Sequence, residues 1–351
     1  MCNIAGYSGQ KQAAPILLEM LRRQEAFDAE MSTGIATIHE GKLHYRKVIG
    51  NVDTLIRETD ALMLPGTIGI AHSRPFGRKG TIPMHPNLNP GETMALITNG
   101  TTPVCRYCEQ WDRAADLLES EGYSFVQRTP GLSESPKLSS CGDNISPAEM
   151  RVLLIDLYMK QGMTVTAAMA KACADMYSDN ASIMINQDYP DSIFVLRTTR
   201  PVSAILENGE AYIATTHFGF PEELKSEAMM LPLFHTCVIT KDGIRVSTDK
   251  MGIEPVSEMT PFTYAEAYRR FEAILTSGKD IFFDDLEIAA DTQMRDLWEG
   301  EHTFVQHARL VYDLLWQFHR EGRLNRELRT QQIDPDGPRH RWYFSLREKE
   351  C

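Results

Sequence analysis

The sequence lacks the long hydrophobic runs and the excess of positive charge that mark membrane-spanning and nucleic-acid-binding proteins. No run approaches the ~18 consecutive apolar residues that a membrane-spanning helix needs. The N-terminus has no basic start followed by an apolar stretch, so no signal peptide is expected. Lys and Arg number 36 against 48 Asp and Glu, a net charge of −12, whereas neutralising phosphates requires a basic surface. We therefore expect neither a membrane nor a nucleic acid among its partners.

Cysteine is also scarce, with seven in 351 residues. An odd, sparse count is unlike a disulfide scaffold and predicts a reducing, cytoplasmic environment. Cys105 and Cys108 form a CxxC pair, but no second ligand pair stands at a zinc-like spacing. We interpret them as reduced cysteines of a helix and expect no metal and no cofactor.

What the sequence does contain is enough apolar material for a core. Hydrophobic residues make up 42% of the chain, with 14 Phe, 12 Tyr and 4 Trp, which excludes wholesale disorder. At roughly 150 residues per domain the length corresponds to about two domains. No internal repeat is visible.

Strand-like runs alternate with helical patterns up to about residue 255, which predicts an α+β domain of layered sheets and helices. The N-terminal run is a strand, and the Lys241-Asp242-Gly243 turn predicts a hairpin. Ser146, followed by Pro147 and by Glu149 three residues after it, predicts a helix start. The further predicted strands cover 34–38, 42–48, 67–71, 93–98, 182–186, 192–196, 204–206, 211–214, 235–239 and 244–247, and helices cover 105–121, 146–160 and 164–176.

From Thr263, with Glu266 three residues later in a second capping pattern, the chain reads as mostly helical. An apolar stripe at helical spacing predicts a helix that faces the core or a dimer partner; it consists of Phe304, Ala308, Val311, Leu315 and Phe318. We therefore predict a domain over residues 2–255 and a helical extension over 256–351. A homodimer is compatible with the stripe.

The second residue is Cys, and removal of Met1 would give it a free α-amino group. The reference pKa of a thiol is near 8.5 and that of an α-amino group is near ~7.7–8.0. The amine can therefore act as the base toward its own thiol, directly or through one water, with no His or Asp partner.

Two further segments complete an arrangement for acyl transfer. Arg74 ends the strand that begins at Gly69, and an Arg can hold a carboxylate with two parallel hydrogen bonds. Asn99 and Gly100 end another strand, where an amide and a backbone N–H can stabilise a developing oxyanion. Together with Cys2 they supply a nucleophile, an anion clamp and oxyanion donors.

At these residues the chain resembles class II glutamine amidotransferases, whose nucleophile is an N-terminal Cys, and most closely the glutaminase domain of glucosamine-6-phosphate synthase. The resemblance is carried by residues 2–7, 16–23 and 33–36, by Gly69–Arg74, by His85-Pro86 and by Asn99-Gly100. It implies the αββα sandwich of N-terminal-nucleophile hydrolases. It also implies that Cys2 attacks the side-chain amide of glutamine, with Asn99 and Gly100 at the oxyanion and Arg74 at the α-carboxylate.

The sequence departs from that family around the substrate. After Arg74 the family has Trp-Ala-Thr-His-Gly, whereas here Gly77 and Arg78 stand in an altered segment, with the cationic Arg78 in place of the His. The family's Asp that binds the α-ammonium is replaced by Pro147, and Asp143 is a candidate substitute. Past residue 255 the chain lacks the phosphate loops of the sugar isomerase domains, so any ammonia acceptor is expected on a partner protein or at an unrecognised site.

Three interpretations stay open at this point. The first is release of ammonia from glutamine through a Cys2 thioester. The second is an N-terminal-nucleophile amidase for another small amide, such as an acyl-amino acid. The third is a binding or regulatory module with an impaired pocket.

Overall fold

The computed structural model describes residues 2–75, 85–100, 108–129, 135–252, 259–277, 281–299, 306–333 and 337–347. Among these residues, none of the helices combines the length and the apolar character needed to cross a membrane.

The chain starts in the middle of an antiparallel sheet of seven strands. In order across the sheet these are β11 (Met229–Met230), β9 (Ser203–Glu207), β10 (Glu210–Ala214), β1 (Asn3–Ser8), β4 (Ile68–Arg74), β2 (Ser32–His39) and β3 (Lys42–Ile49). Asn3 lies opposite Ser73 of β4, and Ala5 lies opposite Ala214 of β10. The N-terminal strand therefore has neighbours on both sides, which fixes the position of the residue before it.

A second antiparallel sheet of six strands packs on the first. Its order is β13 (Gly243–Lys250), β12 (His235–Thr240), β8 (Ile193–Arg197), β7 (Ala181–Asn186), β6 (Met94–Asn99) and β5 (Asn87–Leu88). Thr240 pairs with Gly243 across the predicted hairpin turn, and Asn99 ends β6 opposite Ala181.

Strand alternation divides the apolar residues among three layers of core, because successive side chains point to opposite faces. Ile4 and Ile97 lie in the core between the sheets. Tyr7 faces α1 (Ala13–Gln24) and α2 (Val52–Glu58). Leu96 faces α3 (Cys108–Ser120), α4 (Pro147–Lys160) and α5 (Val165–Asp175). The predicted αββα sandwich is confirmed.

The helix start at Ser146 is confirmed, since its hydroxyl accepts the N–H of Glu149 at 3.4 Å with Pro147 in the first turn. The Glu149 carboxylate does not return to Ser146. It accepts the N–H groups of Val126 and Gln127 at 2.9 and 2.8 Å, so it holds the preceding loop against the helix.

The C-terminal extension contains both helices and a sheet. Its elements are α6 (Pro261–Thr276), β14 (Ile281–Phe282), α7 (Phe283–Gln293), α8 (His307–Arg320), β15 (Leu324–Ile333) and β16 (Gly337–Leu346). The predicted helix start at Thr263 is wrong by three residues, because Thr260 caps α6 and Pro261 takes its first position. The prediction of a mostly helical extension missed the hairpin of β15 and β16. These two strands are stabilised by pairing with each other, and neither has a local apolar pattern that would have predicted it.

The extension and the first domain share one apolar core. Phe27 is fully buried and its ring lies 5.4 to 5.7 Å from four aromatic rings, those of Phe218, Phe283, Tyr312 and Phe344. The stripe on α8 faces this core through Ala308, Val311, Leu315 and Phe318, while Phe304 and the boundary predicted at residue 255 lie outside the described residues. The extension is thus packed on the domain over a continuous apolar contact.

Candidate functional site

Cys2 comes directly before the central strand β1, and the residue is partly exposed. The next residues are held firmly, since the N–H of Ile4 donates to Thr215 at 2.9 Å and its carbonyl accepts from the Gln24 amide at 2.8 Å. By contrast Cys173 and Cys237 are buried, and burial raises the pKa of both thiols. Cys2 is therefore less buried than these two cysteines, and the strand behind it is held in place.

Arg74 is the neighbour of Cys2 on the adjacent strand. The pairing of Asn3 with Ser73 brings the ends of β1 and β4 together. Burial lowers the pKa of Arg74, and an electrostatic interaction with Cys2 opposes that shift. The guanidinium is thus placed where it can stabilise a negative charge next to Cys2.

Asn99 and Gly100 end β6 in the second sheet. The Asn99 side chain is 1% exposed, and its amide nitrogen has no acceptor among the described residues. A buried donor without a partner costs about 1–3 kcal/mol, so a native structure retains one chiefly where something else uses it. Gly100 has φ +76°, and a Cβ there would lie 2.2 Å from the carbonyl oxygen of Asp179. Only glycine fits this position without a shift of the backbone.

Arg200 connects the two sheets at this site and was missed by the sequence analysis. A Cβ on Gly100 would lie 3.0 Å from its Nε, and the same Nε lies 2.7 Å from the Asp179 carboxylate. Burial lowers the pKa of Arg200, but the charges of Asp179, Glu287 and Cys2 outweigh this and raise it. Arg200 therefore stays cationic beside Gly100, within electrostatic range of Cys2. Nothing in its local sequence distinguishes it from a surface Arg.

The extension contributes to the same region. Glu287 of α7 lies 3.9 Å from Arg200. Tyr312 of α8 is 1% exposed, and burial together with the charge of Glu287 raises the pKa of its hydroxyl well above the ordinary value. That hydroxyl neighbours the Asn3 amide and stays protonated. The C-terminal helices thus form part of the wall behind Cys2.

Two buried histidines lie beside Arg74 without acting as bases. The rings of His72 and His85 are 4.1 Å apart. Burial lowers the pKa of His72 to about 3, with the Arg74 charge acting in the same direction, and burial lowers the pKa of His85 too. His72 Nε2 lies 3.0 Å from the carbonyl of Thr98. Both rings are neutral at pH 7, and His72 links β4 to β6 near their functional ends.

The edge of the site next to Arg74 is held by the C-terminal hairpin. Arg339 Nη1 donates to the carbonyl of Pro75 at 2.7 Å, and His340 Nδ1 lies 3.0 Å from the carboxylate of Glu30. The N–H of Glu30 in turn donates to Ser73 Oγ at 3.2 Å. Pro75, the residue after Arg74, is therefore attached to β16. The candidate binding residues Gly77 and Arg78 lie outside the described residues.

Asp143 is placed differently from the other candidates. Its side chain is 56% exposed and lies 3.4 Å from the Arg128 guanidinium, while its carbonyl accepts the N–H of Leu138. None of these partners is among the residues described above at the Cys2 site, namely Arg74, Asn99, Gly100 and Arg200, which we call the group around Cys2. Its role in binding an α-ammonium group stays a prediction.

Within the described parts of the chain, no group of three or more His, Cys, Asp or Glu is arranged to hold a metal ion. Cys105 and the side chain of Cys108 lie outside those parts.

The sequence is similar to a set of curated enzymes, although no family model matches it. Glutamine–fructose-6-phosphate aminotransferase [isomerizing] of Caldanaerobacter subterraneus subsp. tengcongensis is 30% identical over 217 residues, 61% of this chain and 31% of that protein. The enzymes of the same name from Clostridium tetani and Chlorobaculum tepidum are each 28% identical, over 83% and 86% of this chain and 47% and 45% of their own lengths. The chain spans less than half the length of these relatives.

Two solved structures share the fold. One is glutamine phosphoribosylpyrophosphate amidotransferase from B. subtilis, complexed with ADP and GMP, with a TM-score of 0.56, 16% identity, and coverage of 75% of this chain and 52% of that one. The other is described as the allosteric regulatory enzyme of purine biosynthesis, with a TM-score of 0.59, 16% identity, and coverage of 80% and 59%. The predicted resemblance is confirmed: the chain is a relative of the glutamine–fructose-6-phosphate aminotransferases and has the N-terminal-nucleophile fold of the class II glutamine amidotransferases.

Proposed function

We propose that this protein hydrolyses the side-chain amide of glutamine and releases ammonia, with Cys2 as the nucleophile. The observation that carries the proposal is the Asn99 amide, a buried donor with no acceptor among the residues that the structure describes, beside a position that tolerates only glycine. An oxyanion formed near the thiol would supply the missing acceptor.

The reaction begins once Met1 has been removed. The Cys2 α-amine accepts the thiol proton, and the thiolate sulfur attacks the amide carbon of glutamine. Negative charge develops on the amide oxygen, where the Asn99 amide and the Gly100 N–H donate to it. The carbon–nitrogen bond then breaks, and the α-ammonium returns its proton to the departing nitrogen, which leaves as ammonia.

A thioester between Cys2 and the glutamyl group remains after ammonia has left. Water, deprotonated by the same amine, attacks the thioester and gives glutamate and the free thiol. Arg74 holds the α-carboxylate throughout, and the nearby neutral His72 adds no competing charge. The cationic Arg200 supports the negative charge of Cys2 from the other sheet.

The test uses 6-diazo-5-oxo-L-norleucine, an electrophilic analogue of glutamine, on protein whose Met1 removal has been verified by mass. We expect one adduct, located on the Cys2 peptide and absent from Cys2→Ala. Cys141→Ala is the matched control, because Cys141 is the exposed thiol among the cysteines that the structure describes, and its loss leaves the adduct in place. Folded protein that gains no adduct, or gains it on Cys141, rules the proposal out.

Two further variants test the roles of the amide and the amine. Asn99→Ala lowers the rate of glutamine hydrolysis by roughly 10²–10³-fold, the effect of losing one oxyanion donor. A bulky residue inserted between Met1 and Cys2 blocks removal of Met1 and abolishes the reaction, because the thiol then has no adjacent amine. Full activity in the insertion variant would show that another group is the base.

The placement of Asp143 favours a second candidate, an amidase for a different small amide. Its carboxylate is exposed and engaged by Arg128. No contact among the described residues joins it to Arg74, Asn99 or Arg200, so Asp143 does not supply the carboxylate that the family places at the α-ammonium. A panel comparing glutamine with N-acyl amino acids and glutaramide, followed by release of ammonia or amine, separates the two. Turnover of glutamine alone rejects this second candidate.

A further inference from the structure

A cavity of about 680 Å³ opens between the first domain and the extension, on the far side of the aromatic core around Phe27. The first domain contributes the turn that starts at His217 and the loop up to Ala228, and the extension contributes α8, β15 and β16. The lining residues used below are His217, Phe218, Trp316, Arg320, Arg326 and Trp342. None of them belongs to the group around Cys2.

Flat rings form one wall of this cavity. The imidazole of His217 stacks on Trp316 at 5.3 Å and 14°, and Phe218 meets the same indole edge-on at 5.0 Å. Burial lowers the pKa of His217 to about 4, with the Arg320 charge adding to the effect, so the imidazole is uncharged at pH 7. Trp316 is only partly buried. The wall therefore presents an uncharged aromatic surface on which another flat ring can stack.

The charge of the cavity is opposite to that of the whole chain. Four cationic side chains line it against two carboxylates, although the chain carries a net charge of −12; the cations are Arg23, Lys225, Arg320 and Arg326, and the carboxylates are Glu222 and Glu227. Both carboxylates are already engaged, Glu222 by Arg23 at 3.0 Å and Glu227 by Arg320 at 3.7 Å.

Arg326 differs from Arg23 and Arg320 because no carboxylate of the described residues forms an ion pair with it. Its guanidinium lies over the rings of Phe218 and Trp342, at 4.6 and 5.1 Å from their centroids. Burial lowers its pKa, and Glu222 opposes that shift. A guanidinium that lies over aromatic rings can still donate its N–H groups to a carboxylate or phosphate.

We propose that this cavity binds a small organic anion that carries a planar ring. The ring stacks beside Trp316, and the carboxylate or phosphate group is held by Arg326. The volume is in the range of ordinary small-molecule sites. This proposal does not depend on the reaction at Cys2, from which the packed aromatic core around Phe27 separates the cavity.

The experiment is isothermal titration of the full chain with four matched probes. 2-Naphthoate and 2-naphthyl phosphate carry both the ring and the anion, 2-naphthamide lacks the charge, and cyclohexanecarboxylate lacks the aromatic ring. We expect one site for at least one of the two charged naphthyl compounds, and the tighter of the two identifies the anionic group. Loss of either the charge or the aromatic ring weakens binding by roughly tenfold or more.

Two variants locate the binding. Arg326→Met lowers the affinity for the charged naphthyl probe by roughly tenfold or more, because a charge-assisted hydrogen bond is lost, and it leaves the affinity for naphthamide unchanged. Trp316→Leu lowers the affinity for both probes. Arg57→Met, an exposed Arg of α2 outside the cavity, is the control and has no effect. Thermal unfolding shows whether each variant is folded, and labelling of Cys2 shows whether the site around Cys2 is intact.

Three results would overturn the proposal: no heat of binding at millimolar probe, naphthamide binding as tightly as the anions, or Arg326→Met and Trp316→Leu both binding like the unaltered protein. Because Cys2 labelling is measured on the same samples, a failure at the cavity is distinguished from a failure of the proposed glutamine hydrolysis.

Discussion

Glu25 is a buried carboxylate at the edge of the site, and it makes the stability of the protein depend on pH. It is 4% exposed, and its Oε2 accepts the N–H of Val52 at 3.1 Å and the hydroxyl of Ser73 at 3.5 Å. Burial raises its pKa to about 8, and the charges of Glu30 and Asp53 add to this, against smaller opposite effects of the Val52 N–H and of Arg22. The folded protein therefore holds a proton at pH 7 that the unfolded chain releases.

The sign of the effect follows from the raised pKa. A carboxyl whose pKa is higher in the folded state stabilises the fold fully below its unfolded pKa and loses that contribution as pH rises through the folded value. The window here runs from about 4.5 to about 8. At ~1.4 kcal/mol per pH unit, the loss between pH 5 and pH 8 is on the order of 4 kcal/mol.

Glu25→Gln tests this, because the amide keeps an acceptor for Val52 but cannot ionise. Urea unfolding at pH 5 and at pH 8 gives the free energy of unfolding of each form. We expect the wild type to lose roughly 4 kcal/mol more than the variant over this range. Glu58→Gln, an exposed change, controls for the general pH dependence. Parallel pH profiles for wild type and Glu25→Gln would refute the reasoning.

Three other substitutions probe the site and its support. Gly100→Ala lowers the rate of glutamine hydrolysis by at least roughly 100-fold, because the new Cβ would lie 2.2 Å from a carbonyl oxygen. Gly122→Ala is the control, also at positive φ but with no atom within 4 Å of the new Cβ, and it leaves the rate unchanged. Equal effects of the two substitutions would contradict the steric argument. Phe27→Ala lowers the free energy of unfolding by ~3–5 kcal/mol, measured by urea titration, while the exposed Phe262→Ala stays within ~0.5 kcal/mol. Arg339→Met removes the donor to the buried Pro75 carbonyl and lowers the free energy of unfolding by ~1–3 kcal/mol. It also raises KM for glutamine more than it lowers kcat. An unchanged KM would show that the hairpin does not position the edge of the site next to Arg74.

Much of the first domain follows from patterns that are local in the chain. The run after Cys2, the strands that end at Arg74 and Asn99, and the helix capped by Ser146 all lie within a few residues of their predicted bounds. Period-two alternation, a capping hydroxyl and a two-residue hairpin turn are properties of neighbouring residues, so they can be read without knowledge of the rest of the fold.

The extension shows where local patterns stop being informative. β15 is rich in Arg, Gln and Glu and has little alternation of apolar residues, so nothing within it predicts a strand. It forms because β16 supplies its hydrogen-bond partners along ten residue pairs. The helix stripe around Val311 was readable, yet its partner Phe27 comes from a segment almost three hundred residues earlier.

By itself the sequence determined the nucleophile, the anion clamp and the oxyanion donors as candidates, because each depends on a residue type at the end of a strand. Only the tertiary structure placed Arg200 beside Gly100, joined Arg339 to the carbonyl of Pro75, and formed the cavity beside Trp316. Those contacts join residues far apart in the chain, and their strength comes from burial and charge proximity, which exist only once the sheets and the extension have packed together.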